Sequence, residues 1–508
     1  MPEAFQSAKF IVTYAKPGDT AATLATRYLG GADKAWMVED YARATSFAPK
    51  QEVVIPKVEW NRPGVYPNGY QVVPVLVYHN IAAQRKGRLT IAASTFEEQM
   101  RYLKAEGYHA VSLDAFLAYL QQQRQLPRKS VVIAFDDGHK GFLQYARPLL
   151  KDLGFQAVLF VVSDQVGSRV NAAFLSWDEL RELSEDGVEI YAHSKTHQDL
   201  RRSAGEAEQR YVRRMQLELG LPLELLRKQL PGRDGRLEAV AYPFGEWDDR
   251  LLESVKQYGY VAGFTVHRQP NPAFIPLLTV NRSQVYADWT LEEFKRNLAT
   301  FQSQDLIVSK PPQGRPAQSP ARPTTEGKSA LSPRERLAAP HNDRAKALEA
   351  EGELRAALDE CDIALTINSK DARALARRAA IERRVEREVA ALVQEGQALA
   401  RSSASEATRY YLAALALDPT SANAFEALRA ADTMRAPAVR PVTPPTKYLT
   451  HTTRADDTTV SLADLYYGDP SLASAIERAN GLRPGAPLGA GRVVKIPEIP
   501  GVRFFPDR

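Results

Sequence analysis

Between about Val72 and Lys310 the chain keeps changing its hydrophobic period. Short apolar runs ("QVVPVLVY", "SVVIAF", "QAVLFVV", "GVEIYA", "LEAVAY" and "YVAGFTV") alternate with stretches whose apolar residues recur at helical spacing. A short run without polar alternation reads as a strand covered on both faces. Two of the intervening segments, "STFEEQMRYLKAEG" and "SWDELRELSEDG", open on a Ser-x-x-Glu capping box and close on glycine. Such alternation implies a parallel sheet wrapped by helices, most simply a (β/α) barrel within a multidomain α/β chain.

In such barrels chemistry sits where strands give way to loops. His79 follows "PVLVY", the adjacent pair Asp136 and Asp137 follows "VVIAF", "HSKTH" (His193 to His197) follows "VEIYA", and "YPFGEW" follows "LEAVA". Two neighbouring carboxylates repel and cost desolvation, so a cation or a chemical task must offset them. Two histidines four apart plus one carboxylate suit a divalent ion with open positions, most simply one Zn²⁺ per chain. One aspartate then neutralises the metal and the other is left to take a proton from water.

At this point "AFDDG", "HSKTH" and "YPFG" resemble the first three motifs of the polysaccharide deacetylases with a NodB-type domain. The run from "VLVYHNI" through "LPRKSVVIAFDDG" is most similar to their poly-N-acetylglucosamine deacetylase branch. The resemblance implies a distorted (β/α) barrel and metal-dependent removal of acetyl groups from N-acetylated sugars. It implies Asp136 as general base and Asp137, His193 and His197 as metal ligands. The Tyr242-Pro243-Phe244 turn would help hold the oxyanion. Two departures stand out. The third motif begins with Ala241 where the family has arginine, and Arg282 in "TVNRSQV" is the candidate replacement. The family's late histidine has no counterpart in "DLIVSK", and His79 is the substitute by position. His139 is read as shaping the rim, and His109, His267 and His341 as surface or packing residues.

The two ends repeat each other. "KPGDTAATLATRYLGG" and "RADDTTVSLADLYYGD" align without a gap, matching Asp19 to Asp457, Thr20 to Thr458, Leu24 to Leu462, Tyr28 to Tyr466 and Gly30 to Gly468. Each copy ends in an apolar run into Ile-Pro. Both resemble the LysM carbohydrate-binding module, a small βααβ unit, which implies a glycan containing N-acetylglucosamine as partner. Between barrel and C-terminal module, an Ala/Leu/Arg/Glu-rich block resembles tetratricopeptide units and offers a surface for a protein partner. The expected division is 8–58 LysM-like, 70–310 deacetylase barrel, 311–340 proline-rich linker, 341–433 helical, 435–447 proline-rich linker, and 448–499 LysM.

Composition excludes several classes. The 508 residues carry 66 Lys and Arg against 61 Asp and Glu, interspersed, which argues against a nucleic-acid surface. Cys361 is the single cysteine, so neither an intramolecular disulfide nor a thiolate zinc site can form. There is no apolar run of transmembrane length, and "MPEAFQSAKF" has no signal-peptide pattern. The wall-binding resemblance nonetheless places the chain outside the cytoplasm, in the cell envelope or periplasm, with any signal already removed. The rival readings are a non-haem Fe(II) oxygenase, whose triad this also resembles, and a glycan-binding scaffold whose barrel is catalytically impaired. A glycosidase needs carboxylates facing each other across a sugar, which adjacent strand residues do not supply.

Overall fold

The computed structural model describes residues 4–167, 173–203, 205–230, 232, 236–306, 332–435, 448–454, 457–467, 470–483 and 488–497. Most of both expected linkers, Gly468 of the repeat and "DLIVSK" beyond Leu306 lie outside the described residues.

Among the described residues the central sheet has eight parallel strands, seven in one row: β1 (Val75–Tyr78), β2 (Ser130–Asp137), β3 (Val158–Val161), β4 (Glu189–Ala192), β5 (Ala239–Ala241), β6 (Ala262–Phe264) and β7 (Ser283–Gln284); the eighth, His109–Ala110, pairs only with β2. The spatial order of the row is β6-β5-β4-β3-β2-β1-β7. The sheet curls until Val280, just before β7, bridges Phe264 of β6. The segment Val280–Gln284 therefore touches both edges, as in the distorted (β/α) barrel the resemblance implied.

Strand alternation sorts side chains onto two faces. Val132 and Ala134 of β2 pack inside the curl with Val77, Phe160, Tyr191 and Phe264. Ile133 and Phe135 pack outside against Phe96, Met100, Leu180 and Leu183 of the surrounding helices. Burying each such large apolar side chain contributes about 1.5–3 kcal/mol, so register is firmly set. The same parity turns Asp136, two residues past Ala134, toward the interior, and likewise His193, which follows the outward Ala192.

Of the two expected capping boxes, Ser176 and Glu179 form theirs at helix Trp177–Glu185. Ser94 does not cap: the strand Thr90–Ala92 runs straight into helix Ala93–Ala105, leaving Ser94 inside the first turn.

The C-terminal block comprises α1 (Pro333–Glu351), α2 (Leu354–Ile367), α3 (Ala372–Leu399), α4 (Ala404–Leu417) and α5 (Ala422–Arg435). α1 begins inside the stretch 311–340 expected to be linker, because Ser332 and Glu335 form a capping box and Pro333 fits the first turn. The block is not set apart: Leu412 and Leu415 share a continuous core with Phe116 and Leu120 beside the barrel.

At each end the described residues give strand, helix, helix, strand, preceded at the N-terminal end by a further strand, Ala4–Gln6, paired with Phe10–Tyr14. Phe10–Tyr14 pairs antiparallel with Glu52–Pro56, and Tyr448–Thr452 with Val493–Pro497. The repeated Asp-Thr has one structural meaning in both copies. Asp19 accepts from Lys16 N at 2.8 Å and Asp457 from Arg454 N at 2.7 Å, tightening the turn before the helix. Thr20 then exchanges cap hydrogen bonds with Thr23, and Thr458 with Ser461.

His341 corrects its reading as an ordinary packing residue. It is 1% exposed and bridges α1 to two carboxylates, Glu360 at 2.8 Å and Glu52 of the N-terminal module at 3.2 Å. Lys9 to Asp362 at 2.7 Å and Thr366 Oγ1 donating to Ser7 Oγ at 2.9 Å extend this contact.

Candidate active site

The two aspartates at the end of β2 diverge as strand neighbours should. Asp136 is 2% exposed and accepts both arms of the Arg282 guanidinium, Nη1 to Oδ1 at 2.7 Å and Nη2 to Oδ2 at 2.9 Å. Arg282 is fully buried, and its Nε donates to the Thr265 carbonyl at 2.8 Å. A buried fork of this kind is geometrically specific and holds the carboxylate's orientation. Burial pushes the Asp136 carboxyl up, but Arg282, His193 and His79 outweigh it and keep the group below its ordinary range. The carboxylate is therefore ionised at neutral pH.

Asp137 takes a positive φ of 70°, which swings its side chain over the rim. Its Oδ1 lies 3.6 Å from His193 Nε2 and 3.7 Å from His197 Nε2, and its Oδ2 lies 3.5 Å from His139 Nε2. Burial raises this carboxyl too, yet His139 and the three other imidazoles hold it well below the carboxylate range. Asp137, His193 and His197 each offer one ligand atom within 4.8 Å of the others, a group able to hold a metal ion. The donor set fits. His193 Nδ1 sits 2.9 Å from the Ala241 carbonyl, which fixes the tautomer and leaves Nε2 as the donor atom. Burial, with His197 and Arg282, pushes the His193 imidazole down to about 4 against the pull of the two aspartates, so it is neutral and able to ligate at pH 7.

Backbone strain gathers here. Among the described residues seven non-glycine residues have positive φ, and Asp137, Ser194, His197 and Phe244 lie at this rim. Each costs on the order of 1–3 kcal/mol and persists only where the surroundings over-determine it. For "HSKTH" the surroundings are visible. Glu218, 4% exposed, accepts from Lys195 N (3.1 Å), Thr196 N (2.9 Å) and Thr196 Oγ1 (2.7 Å), and His197 N donates to Ser194 Oγ at 2.9 Å. The sequence reading missed Glu218, although a signal existed: it stands three and seven residues past Met215 and Tyr211, on the helix face that should be apolar.

The remaining candidates fall as follows. His79 directly follows β1, and because Tyr78 pairs with Phe135 it stands level with Asp136; its Nδ1 is buried without a protein partner. The Phe244 ring packs edge-on to His197, centroids 4.8 Å apart, so the Pro243–Gly245 turn borders the metal-ligand group. Tyr242 contributes only backbone to the rim. Its ring lies in the outer core and its hydroxyl donates to the Leu278 carbonyl at 2.9 Å, over Gly263, where a Cβ would stand 1.9 Å from that hydroxyl. His139 stacks on Phe174 at 4.6 Å, beyond Asp137 from the other two histidines.

Residues 123–263 match the family model described as Polysaccharide deacetylase. Bacillus subtilis (strain 168) YxkH, named for a polysaccharide deacetylase, is 26% identical over 193 residues, 38% of this chain and 64% of that protein. The chain thus spans a little less than two thirds of that relative. The poly-beta-1,6-N-acetyl-D-glucosamine N-deacetylase of Staphylococcus aureus (strain MSSA476) is 25% identical over 214 residues, 40% of this chain and 72% of that one. Among solved structures, the Streptococcus pyogenes deacetylase PplD in complex with acetate is 24% identical, covering 45% of this chain and 98% of its own, with a TM-score of 0.40. The likeness to polysaccharide deacetylases thus centres on residues 123–263, the stretch that carries Asp136, Asp137, His193 and His197.

Proposed function

We propose that this chain removes N-acetyl groups from a polysaccharide containing N-acetylglucosamine, using one divalent ion, most simply Zn²⁺, on Asp137, His193 and His197. The observation that carries the reading is the pairing at one strand end of an Arg-clamped carboxylate with that three-ligand group. Asp137, His193 and His197 would hold a divalent ion, which when bound would supply Lewis-acid polarisation of the acetamide carbonyl. Asp136, ionised and oriented by Arg282, takes the proton from the attacking water. His79, level with Asp136 and with Nδ1 free of protein partners, returns a proton to the departing amine. The backbone N–H of Phe244 donates to the oxyanion from a turn held at φ 62°.

Both end modules, LysM-like in sequence, tether the enzyme to glycan outside the cytoplasm, and the helical block offers a tetratricopeptide-like surface to a protein partner. Among the described residues no helix is long and apolar enough to cross a membrane. The deciding experiment is acetate release from N-acetylglucosamine oligomers before and after metal depletion and zinc restoration. Release that vanishes and returns supports the reading. No release in either state refutes it and leaves the impaired-scaffold alternative. Pull-down on insoluble glycan, with and without residues 448–508, tests the tether.

A further inference from the structure

A cavity of about 280 Å³ is lined among others by Arg268, Arg296, Ser283, Trp289 and Asn297. Asp136, Asp137, His193 and His197 are not among its lining residues. Arg282 reaches inward to Asp136, while Ser283, the next residue along the strand, faces the cavity. Trp289 holds Arg268 in place, the guanidinium carbon lying 4.6 Å from the ring centroid, with Tyr286 at 5.7 Å. On the other side of Tyr286, Arg88 stacks at 3.8 Å but is matched by Asp288 at 3.3 Å. Neither Arg268 nor Arg296 has such a carboxylate partner among the described residues. Glu293, also in the lining, uses its Oε2 to accept from Thr290 N and Oγ1 at the start of its own helix. The lining thus carries an excess of positive charge, beside a side-chain amide and a hydroxyl.

We infer that this cavity binds a carboxylate-bearing sugar of the polysaccharide, so that the substrate class is an acidic heteropolymer rather than a neutral homopolymer. The inference deepens, and rests on, the deacetylase reading above. Guanidinium groups recognise planar carboxylates through paired hydrogen bonds, and a side-chain amide and hydroxyl suit sugar hydroxyls. The volume suits a single sugar residue. Free phosphate shares the anion chemistry and must be separated by experiment.

The full chain is titrated by calorimetry with an oligosaccharide alternating N-acetylglucosamine and glucuronate, with a neutral N-acetylglucosamine oligomer of equal length, and with inorganic phosphate. The acidic oligomer is expected to bind about tenfold tighter. Arg268→Ala with Arg296→Ala should remove that preference, and Arg268→Lys with Arg296→Lys should keep part of it. Both arginines are exposed, so circular dichroism should be unchanged. Equal affinity for the two oligomers, a preference that survives the double alanine variant, or competition by phosphate alone without any preference would overturn the inference. Acetate release from the neutral oligomer, measured on the same wild-type samples, tests the deacetylase reading separately. Failure there with an intact acidic preference would sink that reading and leave the cavity as an acidic-glycan site.

Discussion

The candidate catalytic rim and the contact between the N-terminal module and the helical block use the same parts to opposite ends. Each holds a histidine with almost no exposure, His193 at 2% and His341 at 1%, within reach of two carboxylates. Yet His193 is pushed down to about 4 and His341 is raised. Spacing accounts for the difference. His341 has its oxygens at 2.8 and 3.2 Å, where a ring proton is shared in charge-assisted hydrogen bonds. His193 Nε2 stands 3.6 Å from both Asp136 and Asp137, too far for a proton to bridge, and Arg282 and His139 already engage those carboxylates. Burial then prevails and the imidazole stays neutral. Spacing of that kind suits a ligand set, whereas the shorter one makes an ionic clasp.

The strongest way to break the comparison is at Asp136. Asp136→Asn keeps shape and part of the Arg282 contact but removes the base, so acetate release should fall by about 10²–10⁴-fold with metal content intact. Asp137→Asn should lose metal first, measured by elemental analysis after dialysis. If both variants lose metal alike, the two carboxylates do not divide their work. Next in size is Arg282→Met, which leaves Asp136 buried without its counter-charge and should cost about 3–5 kcal/mol in denaturant unfolding. The sign with pH follows from the depressed Asp136. Its stabilising contribution is present above the unfolded carboxyl range and is lost as pH falls through the folded value, so Arg282→Met should flatten the acid limb of the stability curve.

The rim was largely legible in the sequence because its groups sit at or just past strand ends, where a continuous apolar run stops on a polar residue. Asp136, Asp137 and His193 follow that pattern, and His197 lies four residues past His193. Arg282 could be guessed only as a missing charge, since its partner lies 146 residues away and nothing local encodes the pairing. Glu218 was lost to a different cause. Its three hydrogen bonds are to a loop from another element, and a lone carboxylate on an apolar stripe reads as noise until the loop is seen. The same blindness applied to His341, whose meaning depends on Glu52, far away in the chain. The start of α1 was missed although Ser332-Pro333 and Glu335 spell a helix opening, because the proline-rich composition before it was given more weight.

Glu218 sharpens the comparison from the loop side. Glu218→Gln keeps the shape but weakens acceptance from Lys195 N, Thr196 N and Thr196 Oγ1, loosening the positive-φ turn that aims His197. Supporting groups of this kind typically change metal affinity by about 10–100-fold, and competition with a chelator reads that directly. Unchanged affinity would mean the loop holds its shape without Glu218.

The smallest effect is expected at the clasp, and its direction is the test. His341 gains its proton partners on docking; Glu360, shared with Arg344 at 3.0 Å, Glu52, whose other neighbour is Tyr14, and the Arg344 guanidinium, 2.6 Å from Nδ1, are the charges facing it. Because the docked value lies above the ordinary 6.5, the contribution is fully present below that pH and is lost as pH rises through the raised value. Hydrogen exchange in Phe10–Tyr14 and Glu52–Pro56, corrected for intrinsic rates, should therefore quicken from pH 6 to pH 9. His341→Gln should remove that dependence. At the rim the same pH change should leave exchange in Glu189–Ala192 unaltered, since His193 is already neutral throughout that range. A clasp that tightened with rising pH, or a strand at the rim that loosened with it, would reverse the assignment of the two histidines.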